Sequence, residues 1–246
     1  MQLLGFRNGL PLALSLCLFS PAPAQPLGRD LELAVVESTN RFRSDQGLSR
    51  LTADDILSEI ARRHSQEMLE QGYLSHTSPN AMCRTITDRL RLGLRYCLSA
   101  GENLHRSEGE ARPRVADEAM ESWIVSPAHR KNLLSRRFNR VGVGVASKGE
   151  VYVFTQLFSY EPIIIQSLNC QPEPSGFKVQ IDALVADGPE QGSLFFQGKR
   201  KLDWSCQPDR SFRAELVVPG PGLLEIGQLV APRDWKVETE IPLPLP

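Results

Sequence analysis

Ahead of residue 162 apolar residues recur mostly at helical spacing, and after it they recur at strand spacing. Residues 31–43 carry Leu31, Val35 with Val36, and Phe42 on an imperfect helical stripe. Thr52-Ala-Asp-Asp55 has the form of a capping box with Asp in place of Glu. It opens a clearer amphipathic helix whose stripe is Ile56, Ile60, His64 and Met68 and which ends near Gly72. A further helix is predicted from about Pro113 through Val115, Ala119 and Trp123. A short one restarts at Ser126-Pro127, with Ser as N-cap and Pro in the first position. Val141-Gly-Val-Gly-Val145 and Val151-Tyr-Val-Phe154 flank Ser147-Lys-Gly149 and read as a hairpin. Beyond 162 the candidate strands are 163–168, 177–185, 193–197, 212–218, 223–229 and 235–241, punctuated by Gly and Pro. Helices then strands, without βαβ alternation, predict an α+β chain. The expected parts are 28–160 and a small all-β, sandwich-like domain over 163–246 whose end, 241–246, is a loose tail.

Composition adds compartment and excludes a class. With 28 basic and 29 acidic residues among 246, the charge is balanced, and nothing points to a nucleic-acid partner. Residues 1–24 read as a secretory signal peptide: Arg7, an apolar run over 10–19, and a small-x-small cleavage form at Ala22-Pro23-Ala24. Leu16 before Cys17 argues against a lipid-attachment site. No later stretch is apolar enough for a transmembrane segment, so the expected location is secreted or periplasmic. Cys83, Cys97, Cys170 and Cys206 then remain, an even set in an oxidising compartment with three possible pairings. The local pairs Cys83–Cys97 and Cys170–Cys206 are favoured because each lies within one of the two parts. The first would close a loop of about 15 residues, nominally worth roughly 3 kcal/mol.

The four histidines can be weighed singly. His64, on an apolar stripe, reads as a hydrogen-bonded core residue. His105, in what reads as a polar loop, is an ordinary surface residue. His76, in Ser75-His-Thr-Ser-Pro79, and His129, in the first turn after Ser126, occupy irregular or helix-edge positions where functional side chains concentrate. The chain contains no HExxH or GxSxG, and no phosphate-binding glycine pattern. A site would have to be assembled from separate segments.

Asn40-Arg41 with Gly47-Leu48 and Leu51, then 61–68, Ser75-His-Thr-Ser78, Gly101-Glu-Asn-Leu104, 123–132 and Thr155-Gln156 follow one another over about 130 residues in an order that resembles the CAP superfamily. This is the group of cysteine-rich secretory proteins, antigen 5 and plant pathogenesis-related proteins. Ser126-Pro-Ala-His-Arg-Lys-Asn132 after a Trp, followed by Val141-Gly-Val-Gly, has the form of the bacterial members. The resemblance implies an α–β–α sandwich around a small antiparallel sheet and says nothing of 163–246. It also implies a cleft lined in animal and plant members by two His and two Glu, sometimes holding zinc through the histidines. His76 matches the first His and Glu102 the first Glu. The second Glu falls on Ser126 and the second His on Val153, so half of the tetrad is kept.

The candidate cleft is therefore His76, Glu102, Ser126, His129 and Gln156, with His129 filling the vacated space. His76, His129 and Glu102 would suffice for a zinc with an open position, or equally for a metal-free hydrogen-bonded cluster. Gln156 either reaches the cleft or cross-links neighbouring backbone. Asn103 and Asn132 read as structural, and Trp123 as core. The function favoured is non-enzymatic binding of a small molecule, lipid or cell-envelope component, with no confident catalytic residue. A hydrolase using His76, Glu102 and His129, and a structural or adhesive role, are the alternatives.

Overall fold

The computed structural model describes residues 26–109, 114–231 and 234–243. The segment read as a signal peptide lies outside the described residues, as does the predicted helix start at Pro113. The first part runs α1 (Pro26–Asp45), β1 (Thr52–Ala53), α2 (Asp55–Gln71), a 3₁₀ turn at Ala81–Cys83, α3 (Ile86–Leu92) and β2 (Ser99–Glu108). α4 (Val115–Val125), α5 (Pro127–Leu133), β3 (Arg140–Lys148) and β4 (Val151–Tyr160) complete it. β3 and β4 form the expected antiparallel hairpin, and the sheet order is β1-β3-β4-β2.

Alternation along β3 sets the layers. Val141, Val143 and Val145 join Phe154 and Phe158 of β4 in one core with Leu31 and Val35 of α1 and Val115, Ala119 and Trp123 of α4. Gly142 and Gly144 face the other way, onto α2. A Cβ at Gly144 would lie 1.9 Å from the backbone nitrogen of Arg62, so the helix can seat on the strand only where side chains are missing. Leu57, Ile60 and Ala61 of α2 pack there with Leu90 of α3 and Leu157 of β4. The sheet thus lies between helices on both faces, an α–β–α arrangement.

Several local expectations shift. The N-cap of α2 is Asp54, whose Oδ1 accepts from the Ile56 and Leu57 amides at 3.0 Å, while Thr52–Ala53 pairs in parallel with β3. The stripe of α2 keeps Ile60, His64 and Met68, but Ile56 is exposed. A complete capping box occurs instead at Thr85 and Asp88, where it starts α3. The segment around Glu102 and His105 is not a loop but β2, paired along its whole length with β4.

The second part is β5 (Ile163–Glu173), β6 (Gly176–Val185), β7 (Gln191–Phe196), β8 (Lys199–Ser205), β9 (Ser211–Val218), β10 (Leu223–Ala231) and β11 (Asp234–Pro242). They form two sheets, β5-β6-β9 and β11-β10-β7-β8, whose inward residues, including Ile181, Phe212, Leu194 and Ile226, make one core. β8 escapes the sequence pattern because Trp204 is its one buried residue. Ile241 and Leu243, read as part of a loose tail, are buried in this core, and Tyr96 of the first part packs against it.

The two expected disulfides are not formed; Cys83, Cys97, Cys170 and Cys206 are separate thiols. Cys83 borders a pocket on one flank of α3 with Arg89 and Leu92, whereas Cys97 borders another pocket on the other flank with Thr87, Leu90 and Arg91. Cys170 pairs in register with Val179. Cys206 reaches the carbonyl of Arg210, which in turn accepts from the Val185 amide. Val179 and Val185 stand about 20 Å apart along β6 at ~3.3 Å per residue, against the roughly 4.4–6.8 Å between Cα atoms that a disulfide spans.

Candidate functional site

β2 is the edge strand of the first sheet, and its alternation sends neighbouring residues to opposite faces. Glu102 stands opposite Leu157 and turns toward α3; Asn103 stands opposite Gln156 and turns toward α1 and α5. Two polar assemblies result, back to back across one strand.

On the α3 side, Glu102 is only 8% exposed and both of its oxygens are engaged. Oε1 accepts from His76 Nδ1 at 2.7 Å, and Oε2 accepts from Arg89 Nη2 at 2.6 Å. An ionised carboxylate can only accept, so Nδ1 of His76 carries a proton and Nε2 is the nitrogen that varies. Arg89 also donates to the carbonyls of His76, Cys83 and Arg84 at 3.3–3.5 Å, fixing the 76–84 segment over the carboxylate. The hydrogen bond to Glu102 is the main cause that lifts the His76 pKa above the usual histidine value; burial and the Arg89 charge oppose it. The His76 side chain is 59% exposed, so this protonatable ring faces solvent.

On the opposite face is a buried amide ladder. Gln156 Nε2 donates to Thr39 Oγ1 at 2.7 Å, and Asn103 Nδ2 donates to Gln156 Oε1 at 3.1 Å. Asn132 Nδ2 donates to Asn103 Oδ1 at 2.9 Å and to the Glu102 carbonyl at 3.2 Å. Asn103 Nδ2 also reaches the carbonyl of His129 at 3.3 Å. The ladder ties α1, β4, β2 and α5 together, so Gln156 is a cross-link and not a cleft residue. It also sets where α5 presents His129. That imidazole is half-buried, and its pKa is lowered, first by burial and then by the charge of His76. Ser126 is the N-cap of α5 but makes no side-chain capping bond.

The remaining positions separate. Val153, where the resemblance places a second His, is 0% exposed and packs with Met68 and Leu104. His64 is buried, and its Nε2 donates to the Ser75 carbonyl at 3.0 Å. His105, expected as a surface residue, lies against Trp123 and Phe154 and shares a hydrogen bond with Ser122. Sequence reasoning missed Arg89. The signal for it was the [ST]-x-x-[DE] pattern Thr85-Ile-Thr-Asp88, which starts the helix that carries it.

A zinc ion does not fit this donor set. Glu102 already accepts from His76 on one oxygen and from Arg89 on the other, and the Arg89 guanidinium supplies the positive charge there, so of the expected ligands only the Nε2 atoms of His76 and His129 would remain. Among the described residues no group of three His, Cys, Asp or Glu is arranged to hold a metal. The expected ligand set of His76, His129 and Glu102 is corrected accordingly.

A layered α–β–α domain with an edge-strand Glu102 paired to His76 of the segment after α2, and a Ser-Pro-started helix beside it, defines a class. The chain belongs to the CAP, cysteine-rich secretory protein family, whose profile matches residues 36–158. Among its relatives are two Bacillus subtilis (strain 168) proteins. The uncharacterized protein YkwD is 38% identical over 128 residues, 52% of this chain and 46% of YkwD. The uncharacterized membrane protein YlbC is 35% identical over 119 residues, 48% of this chain and 32% of YlbC. The chain thus spans less than half the length of these curated relatives. A solved extracellular protein containing an SCP domain, from Bacillus anthracis str. Ames, is 32% identical. That similarity covers 55% of this chain and 41% of the other, with a TM-score of 0.49. No helix among the described residues is long and apolar enough to cross a membrane.

Proposed function

We propose that this chain is a secreted CAP-domain protein that works by binding, with His76 and His129 as the recognition groups of its cleft. The observation that carries this reading is the engagement of both Glu102 oxygens by His76 and Arg89. A carboxylate so held supplies neither a metal ligand nor a free general base. It favours a protonated, solvent-facing imidazole suited to an acceptor group such as a phosphate or carboxylate. The ligand class is a small molecule, lipid or cell-envelope component with such a head. The same reading places a division at Glu161–Pro162, with 28–160 as the CAP domain and 163–246 as an accessory β domain.

The hydrolase alternative rests on the same Glu–His pair, because a carboxylate on Nδ1 leaves Nε2 as a base when deprotonated. Among the described residues no hydroxyl or thiol is hydrogen-bonded to His76, and that favours binding. The test is titration with hexyl phosphate while the imidazole C–H resonances of His76 and His129 are followed by NMR. Both should shift saturably, and the effect should vanish in His76→Ala. Absence of any shift refutes the reading, and hydrolysis of the phosphate ester that depends on His76 transfers the assignment to an enzyme.

A further inference from the structure

Bordered by Arg89, a cleft of about 510 Å³ opens between α2 and the segment holding the 3₁₀ turn and α3. Its α2 wall is a helical stripe that includes Ile60, Arg63, His64 and Glu67; Met82, Cys83, Arg89 and Leu92 form the opposite wall. The volume falls within the roughly 300–1,000 Å³ range of small-molecule sites. None of the five candidate cleft residues lines it.

The charges in this cleft do not cancel evenly. Arg63 donates to Glu59 at 3.0 Å, and Arg89 is held by Glu102. Glu67 has neutral partners: the Ser78 hydroxyl donates to Oε1 at 2.7 Å, and Oε2 lies 3.5 Å from His64 Nδ1. His64 is 1% exposed and already donates from Nε2 to a carbonyl. Burial is the main cause that holds its pKa below the usual histidine value, so at pH 7 the ring is neutral and Nδ1 carries a lone pair. That nitrogen is buried and has no hydrogen-bond partner. A bare acceptor beside a carboxylate lacks a donor, and leaving it so costs free energy. Apolar Ile60, Leu92 and the exposed Met82 continue outward from this acceptor pair.

We propose that this cleft is a second binding site, for small molecules that carry a primary ammonium on an apolar stem. The ammonium, with three donors, pairs with Glu67 and shares a hydrogen with His64, and the stem lies along Ile60, Met82 and Leu92. The site is separate from the His76 cleft and complementary to it in charge, since one favours anions and the other a cation.

The probe is n-hexylamine, a cation at pH 7, compared with 1-hexanol and hexanoate by calorimetry and by NMR of the imidazole resonances. Hexylammonium is expected to bind 1:1, shifting His64 and not His76, at least about 10-fold more tightly than hexanoate. Glu67→Gln should erase that preference. Met82→Trp, at an exposed position where folding is not at risk, should weaken all three by filling the mouth. Hexylammonium should also slow alkylation of Cys83 by iodoacetamide and leave Cys97 unaffected. Equal binding of hexanoate, a preference that survives Glu67→Gln, or no protection of Cys83 would overturn the proposal. Each of these outcomes leaves the phosphate titration of His76 standing or falling by itself.

Discussion

Replacing Arg89 with methionine keeps the stem of the side chain and removes the guanidinium that holds Glu102. Both partners are nearly closed to water, with side chains 5% and 4% exposed, so solvent screening offsets little of the loss. Truncating one member of a buried ion pair costs about 3–5 kcal/mol, because the other charge is left without compensation. Here Glu102 keeps the N–H of His76 at 2.7 Å, a ring open to water, which places the expected loss near the lower end, about 3 kcal/mol. The carbonyls of His76, Cys83 and Arg84 lose a donor as well, and the 76–84 segment should loosen. Urea unfolding at pH 7 measures the loss. The variant Glu102→Gln and the double variant complete a cycle, in which the loss of the double should fall short of the sum of the two single losses by about 0.5–3 kcal/mol of coupling. His76 supplies a second readout. Its pKa is raised by Glu102 and lowered by Arg89, so Arg89→Met should move it further up and Glu102→Gln should move it down. A loss under about 1 kcal/mol for Arg89→Met, with strictly additive singles, would refute the clamp.

Gly144→Ala should destabilise by about 3 kcal/mol or more, since the new methyl meets the backbone of α2 at Arg62 and Ala61. Gly220→Ala, with open space around it, should be nearly neutral in the same thermal melts. His64→Ala should cost about 1–3 kcal/mol. Because the folded pKa of His64 is depressed, the unfolded chain takes up that proton first, so its contribution is present at neutral pH and declines as pH falls below about 6.5. His64→Asn should therefore flatten the acid limb of a stability–pH curve, and an unchanged limb would contradict the burial argument. His76 has the opposite sign: its contribution is full below the unfolded pKa and is lost as pH rises through the raised folded value. Calorimetry with zinc should find no stoichiometric site; tight zinc binding that His76→Ala abolishes would reverse the donor-set argument.

How legible the chain was depended on whether a signal was local. The period of apolar residues marked α2, the β3–β4 hairpin and most strands of the second part, because burial on one face imposes the period directly. The ordered motifs were enough to single out His76 and Glu102. β2 was hidden because it is covered on both faces by polar partners as well as apolar ones, so Glu102, Asn103 and His105 break its alternation. Arg89 was hidden because its partner lies 13 residues away on a different element, a distance closed by the 93–98 connection between α3 and β2. Gln156 could be read two ways until the ladder through Thr39 and Asn103 gave its amide partners on both sides. The cysteines mislead for the same reason: even count and nearness in sequence favour pairing, but α3 separates Cys83 from Cys97, and the length of β6 separates Cys170 from Cys206. Periodicity and capping are properties of neighbours along the chain, and the sequence by itself determined those. Which charge meets which, and whether a carboxylate is left free for a metal, is decided by packing between distant segments, and only the tertiary structure contains it.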